Sequence, residues 1–249
     1  MRSSFVSAII FAALPVLGGC GYSVFDAAED ISNSSSGLTD GKNIGGEWAD
    51  TGSFTELAAL GPDKIVYTTG DKFQIRAEAD AETLGKLRFK LENGKLLIGR
   101  VDKKWGSSKA ATVYITAPSL ANVSLAGSGS LTADRLSGDK VSISTAGSGS
   151  VNVAAIETKS LSAEIAGSGS LQAAGTARNA DYSIAGSGSV DAGKLTSTDA
   201  KVSIAGSGDV ALNASGTVDA SIAGSGDVNV TGGAKCTKSV IGSGKVNCG

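Results

Sequence analysis

Leu125-Ala126-Gly127-Ser128-Gly129-Ser130-Leu131 is the first copy of a unit that recurs through the second half of the chain. Its Gly-Ser-Gly core starts again at Gly147, Gly167, Gly186, Gly206, Gly224 and Gly242, at spacings of 20, 20, 19, 20, 18 and 18 residues. Aligned on the first glycine, the fourth residue onward is Leu131, Val151, Leu171, Val190, Val210, Val228 and Val246. The second residue before it is Leu125, Thr145, Ile165, Ile184, Ile204, Ile222 and Val240. The residue three after it is always polar: Ser130, Ser150, Ser170, Ser189, Asp209, Asp227 and Lys245. Apolar residues at even offsets with polar ones between them give a period of two, the mark of strands with one buried face. Glycine at each corner admits positive φ and a tight turn.

No single copy has enough apolar area to fold alone. Stacking the copies makes continuous columns of Leu, Val, Ile and Ala, and it pairs each strand with the next coil. A propeller blade needs about 40 residues, whereas a coil of 18–20 residues fits a solenoid. The expected fold is therefore all-β: a single-stranded parallel β-helix (β-solenoid), right-handed by the general preference of parallel crossovers. Seven coils at about 4.8 Å would form a rod on the order of 30 Å long. Thr145 is the polar exception in an aliphatic column.

The chain has 249 residues, 35 of them glycine, with 5% aromatics and a formal net charge of -2. That balance carries no bias toward nucleic acid. Histidine is absent, which removes Ser-His-Asp and Cys-His catalysis and imidazole metal sites.

Met1-Arg2 and the apolar run Phe5–Val16 read as a signal peptide, because the run is too short to cross a bilayer. It ends in Leu17-Gly18-Gly19-Cys20, which resembles a bacterial lipobox; that resemblance implies cleavage before Cys20 and lipidation of it. An ordinary signal with a chance cysteine is the other reading. The boundaries expected are a signal peptide at 1–19, a tether at 20–44 containing Ser32-Asn33-Ser34-Ser35-Ser36, and a solenoid domain at 45–249. Within that domain, 45–118 holds irregular strands and 119–249 holds the repeats. Ile65–Thr68, Phe73–Ala77, Leu87–Leu91 and Thr112–Ile115 read as strands, Ala79–Leu84 as a helical turn, and Glu92-Asn93-Gly94-Lys95 as a tight hairpin.

With Cys20 lipidated, Cys236 and Cys248 remain as an even pair in an oxidising compartment. They stand six residues before and six after Gly242, both on inward columns, so a disulfide within the last coil is expected, with two buried free thiols as the alternative. Asp209 and Asp227 share one offset in adjacent coils and would suit Ca²⁺, or else a solvated edge. The corners lack the Gly-Lys-Ser/Thr of a phosphate loop, and the serines lack a base. Lys86, Arg88, Lys90, Lys103 and Lys104 form a basic stretch, either an anionic-ligand patch or a wet strand face.

The Ala-Gly-Ser-Gly-Ser/Asp-Val units resemble the head-GIN domain family of auto-transporter adhesins. So do the segment Phe54–Pro118 with its Gly70-Asp71-Lys72 turn and the ending Ala234-Lys235-Cys236 through Cys248-Gly249. The resemblance spans residues 45–249 and implies a β-helix at the envelope or cell surface, with no catalytic residue to carry over. The expectation is a non-enzymatic outer-membrane lipoprotein, needing no cofactor and no metal. It would act as an adhesin-like binding or structural module, offering its faces to a glycan, a surface protein or its own copies, and be held to the membrane by its lipid anchor. The competing readings are a carbohydrate-active enzyme, which would need clustered carboxylates, and an accessory protein in envelope-stress signalling.

Overall fold

The computed structural model describes residues 38–43, 48–49, 52–101 and 109–249. The signal segment, Cys20, residues 20–37 and 44 of the tether, and Lys103 and Lys104 lie outside them. The N-terminal elements are β1 (Lys42–Asn43), β2 (Trp48–Ala49), β3 (Glu56–Leu60), β4 (Lys64–Thr69), β5 (Gln74–Glu78), α1 (Ala81–Lys86), β6 (Leu87–Glu92), β7 (Lys95–Arg100) and β8 (Thr112–Ala117). The Gly-Ser-Gly region follows as β9 (Asn122–Gly127), β10 (Ser130–Ala133), β11 (Leu136–Gly147), β12 (Ser150–Gly167), β13 (Ser170–Gly186) and β14 (Ser189–Gly206). It closes with β15 (Asp209–Ala214), β16 (Thr217–Gly224), β17 (Asp227–Thr231), β18 (Lys235–Gly242) and β19 (Lys245–Cys248).

These strands stack as a β-solenoid of about six turns. Every pairing from β9 onward is parallel, and equivalent residues of successive coils sit side by side: Leu125 with Thr145, Thr145 with Ile165, Ile165 with Ile184. The period-two columns become the core. Leu131, Val151, Val190, Val210 and Val228 are each at most 3% exposed, and the polar residues between them face outward. The corner glycines hold this register for two reasons. Gly206 has φ 133°, a region that L side chains avoid, and a Cβ there would lie 2.2 Å from the carbonyl oxygen of Gly186. Gly208 is also pressed, since its Cβ would lie 2.6 Å from Gly188 O.

Parallel stacking begins before the first Gly-Ser-Gly. β3 pairs in parallel with β9 and β7, and β4 does so with β10 and β8. Between β3 and β4, Gly61-Pro62-Asp63 forms a corner of the same kind. Gly61 has φ 118° beside 119° at Gly127, and Gly129 N–H donates to Gly61 O at 2.9 Å. Asp63 also receives Arg100, with Nη2 2.6 Å from Oδ1 and Nε 3.1 Å from Oδ2, while Ala111 N–H donates to Oδ1 at 2.8 Å. Both side chains of the pair are nearly solvent-free, at 2% and 4% exposure. This pair fastens the crossover between β7 and β8 to the corner.

The first end of the rod is built differently. β5 runs antiparallel to β8 and β6 antiparallel to β7, and their outer edges are met by β2 and β1. The β6–β7 hairpin turns at Asn93 (φ 51°) and Gly94 (φ 76°), both left-handed, as an Asn-Gly two-residue turn requires. α1 starts where the Asp80 carboxylate accepts Thr83 N–H at 2.9 Å, a side-chain cap, and extends two residues past the expected turn. The large rings collect at this end: Phe54 meets Phe73 edge-on at 5.3 Å, and Tyr67 is buried with its hydroxyl donating to Ala117 O at 2.9 Å. Burial pushes the Tyr67 phenol up to about 12.

Candidate binding surface

From the second Gly-Ser-Gly corner onward the serine N–H donates to the first glycine carbonyl of the coil before: Ser148 to Gly127 at 3.0 Å, Ser187 to Gly167 at 2.9 Å, Ser225 to Gly206 at 2.9 Å. The backbone is satisfied by the stack, so the hydroxyls are left pointing outward. Ser128, Ser148, Ser168, Ser187, Ser207, Ser225 and Ser243 are all exposed and form the expected ladder. Adjacent rungs are hydrogen-bonded at Ser243 and Ser225, at 3.1 Å.

Five residues after the first glycine runs a second polar column, in two hydrogen-bonded stretches separated by Ala211. Asn152 donates to Gln172 at 3.0 Å, Gln172 to Asp191 at 3.3 Å, and Asn247 to Asn229 at 2.8 Å. Stacking places like side chains one strand spacing apart, where each amide can both give and accept. This ladder was legible in the repeat as the fifth residue after the glycine, a column whose members change identity from coil to coil and so do not stand out.

Asp209 and Asp227 have a structural task. The Asp209 carboxylate accepts Asp227 N–H at 2.9 Å, and the Asp227 carboxylate accepts Lys245 N–H at 2.9 Å. In the earlier, longer coils the equivalent N–H groups of Ser150, Ser170, Ser189 and Asp209 donate to glycine carbonyls. The carboxylates thus take over a backbone acceptor's place where the coil shortens to 18 residues. Among the described residues no group of three or more His, Cys, Asp or Glu side chains converges.

The basic stretch is only partly assembled. Lys86 pairs with Glu82 at 2.9 Å, and Lys90 lies 2.8 Å from Asp40 and 2.9 Å from Glu92. The hydrogen bonds to Asp40 and Glu92 raise the Lys90 ammonium above its ordinary value. Arg88 donates to the carbonyls of Gly85 and Leu87 at 2.8 and 2.7 Å. These cations are engaged by the chain itself. A second cluster, not singled out by sequence, sits on β5 and β8: Arg76 lies 3.8 Å over the Tyr114 ring, and both contact Glu78. Tyr114 is 36 or more positions from Arg76 and Glu78 in sequence, and the antiparallel register alone brings it to them.

Cys236 and Cys248 are joined by a disulfide, with their Cα atoms 6.5 Å apart. Both occupy inward columns, paired with Val218 and Val230 of the preceding coil. They are not enclosed, however: Cys236 is half-buried and Cys248 exposed. A column is closed only by the coil above it, and in the described chain nothing covers the last coil.

The family model described as "Putative auto-transporter adhesin, head GIN domain" matches residues 53–234. Three crystal structures share the fold. One, described as a putative adhesin from Bacteroides fragilis, is 22% identical and covers 86% of this chain and 97% of that one, with a TM-score of 0.70. One from Parabacteroides distasonis, described as a putative lipid binding protein, is 23% identical over 84% of this chain and 98% of that one, with a TM-score of 0.64. One described as a putative adhesin from Parabacteroides merdae is 20% identical over 81% and 95%, with a TM-score of 0.61. No curated protein matches the sequence.

Proposed function

The chain belongs to the family described as "Putative auto-transporter adhesin, head GIN domain", and from that membership we propose that it is a non-enzymatic binding module of the cell envelope. In this reading Cys20 carries the lipid anchor at the outer membrane, and the chain between it and Leu38, where contacts with the solenoid begin, is the spacer. The side of the rod then meets an extended polar partner, a glycan first and a surface protein second. The observation that carries the reading is the outward serine column from Ser128 to Ser243 with the hydrogen-bonded run Asn152–Gln172–Asp191 beside it. Repeating hydroxyls and amides offer many weak hydrogen bonds in register to a repeating polymer, which is how avidity is built without a deep pocket.

The neighbour described as lipid binding suggests a second reading, uptake of an acyl chain into the solenoid. The packed interior argues against it. A cleft lined by Ala59, Leu60, Ile65, Ile98 and Leu125 has no room even for a water molecule.

The test is a glycan array probed with the chain lacking residues 1–20, with polysaccharide incubations analysed for products. Retention on one glycan class without product release is expected; release of saccharide fragments overturns the non-enzymatic reading. For the anchor, Cys20→Ala should move the protein from the membrane fraction to the soluble one, and continued membrane association refutes lipidation.

A further inference from the structure

The coil from Lys235 to Cys248 departs from the six above it in ways that share one physical effect. Its fourth position before the glycine is Lys238, which pairs with Ala220 and continues the inward column that runs through Val123, Ile143, Ala163, Tyr182 and Val202. Those residues and Ala220 are each at most 1% exposed. Lys238 is exposed, so an ammonium stands in water where every other coil has a buried apolar group. Thr217 and Asp227 of the preceding coil are answered by Lys235 and Lys245. Between Lys235 and Gly249 there is no acidic side chain. The strand ends are also drawn together: the disulfide ties β18 to β19, Gly249 N–H donates to Val230 O at 3.1 Å, and Gly233 N–H donates to Gly249 O at 3.3 Å.

The open edge of a parallel coil presents a row of N–H and C=O groups already spaced for another identical coil. Among the described residues, β18 pairs only with β16 and β19 only with β17. Val240, on the inward column that holds the buried Ile222, is 37% exposed there, an apolar group that a further coil would cover. The hydrophobic incentive to continue the stack is therefore present. What opposes it is Lys238, which a further coil would bury without a partner, a burial costing several kcal/mol. An inward-pointing charge with flanking lysines is the general device by which sheets refuse edge-to-edge growth.

We propose that the coil Lys235–Cys248 is a terminator that prevents a second copy of this chain from continuing the parallel stack. The other end is closed by antiparallel β5 and β6, whose outer partners β1 and β2 are two residues each. Both ends of the described stack thus carry features that oppose further parallel pairing. The inference stands independently of what the sides of the rod bind.

The experiment gives the last coil the residues of the one before it: Lys235→Thr, Lys238→Ala and Lys245→Asp together, compared with the unaltered chain by sedimentation velocity across a concentration series. The unaltered chain is expected to keep one mass throughout, and the triple variant at least to double its weight-average mass as concentration rises. A Lys235→Arg, Lys238→Arg, Lys245→Arg variant retains the charge and is expected to behave like the unaltered chain. Lys238→Ala alone, checked for native circular dichroism, supplies the same comparison with the least change to folding. The proposal is overturned if a natively folded Lys238→Ala or triple variant associates no more than the unaltered chain, or if the arginine variant associates as the triple variant does.

Discussion

Thr145 puts a hydroxyl where its neighbours in the stack, Leu125 and Ile165, put only hydrocarbon. The residue is 0% exposed and its Oγ1 has no hydrogen-bond partner. An unsatisfied buried hydroxyl costs about 1–3 kcal/mol, and valine has nearly the same shape without it. Thr145→Val should therefore stabilise the protein by about 1–2 kcal/mol, seen as a higher urea midpoint at unchanged slope; an unmoved midpoint would mean that the hydroxyl is satisfied. The opposite case is Asp63, whose removal strands a buried Arg100 that already has one nitrogen, Nη1, without a partner. Asp63→Leu should cost about 3–5 kcal/mol, and adding Arg100→Leu should restore part of that loss; a double variant less stable than the single one would contradict this account. Asp199 gives a pH handle. Its carboxylate accepts Thr217 Oγ1–H at 2.6 Å and Thr217 N–H at 2.9 Å, and these bonds lower its pKa. A carboxylate depressed in the folded state contributes stability above its unfolded value, near 3.9, and loses it as pH falls through the lower folded value. Asp199→Asn should flatten the acid limb of a stability–pH curve below about pH 4. A parallel downward shift at every pH would exclude this linkage.

At the scale of the element, the coil depends on its corner. Gly206→Ala forces a side chain into left-handed backbone and against Gly186 O, 2.2 Å away, so a loss of about 2–5 kcal/mol is expected from strain and overpacking combined. Gly193 is a fair control: it lies in the same region of the chain, yet a Cβ there would meet only Asp191 Oδ1 at 3.6 Å. Gly193→Ala should be neutral or slightly stabilising in thermal melts, and a similar loss at both sites would show that glycine content rather than corner geometry matters. The same contrast explains what could be read from sequence. The Gly-Ser-Gly corners were legible because one steric demand repeats at every coil and leaves the same letters each time. The corner at Gly61-Pro62-Asp63 meets the same demand with different letters, since Asp63 also holds Arg100 and Ala111, and it went unread. For the same reason the 119 boundary marks where Gly-Ser-Gly begins, and parallel stacking starts earlier, at β3. The candidate surface divides in the same way. The serine ladder follows from period alone. The Arg76–Tyr114–Glu78 cluster depends on an antiparallel register that no local pattern encodes, and the acidic partners of Lys86 and Lys90 were not paired with them in sequence.

The whole molecule is a stack in which each coil is stabilised by its two neighbours, so its stability is distributed along one axis. Coils from β12 to β14 are covered on both sides by nearly full-length parallel partners, whereas β18 and β19 are covered on one side among the described residues. The last coil should open first, and the disulfide offsets this by closing a loop with a sequence separation of 12. In the chain-entropy picture such a closure contributes about 3 kcal/mol. That energy belongs to one coil, because a nearest-neighbour stack passes little of it on. Amide hydrogen exchange should therefore be slowest in Ser150–Gly206 and fastest in Lys235–Cys248. Cys236→Ser with Cys248→Ser should speed exchange in 235–248, less so in 217–231, and leave 150–206 nearly unchanged. If loss of the bond instead sped exchange evenly along the rod, the solenoid would be one cooperative unit and the disulfide a global clamp. The graded outcome leaves a rod whose sides stay rigid while its end breathes, as a binding surface made of long ladders requires.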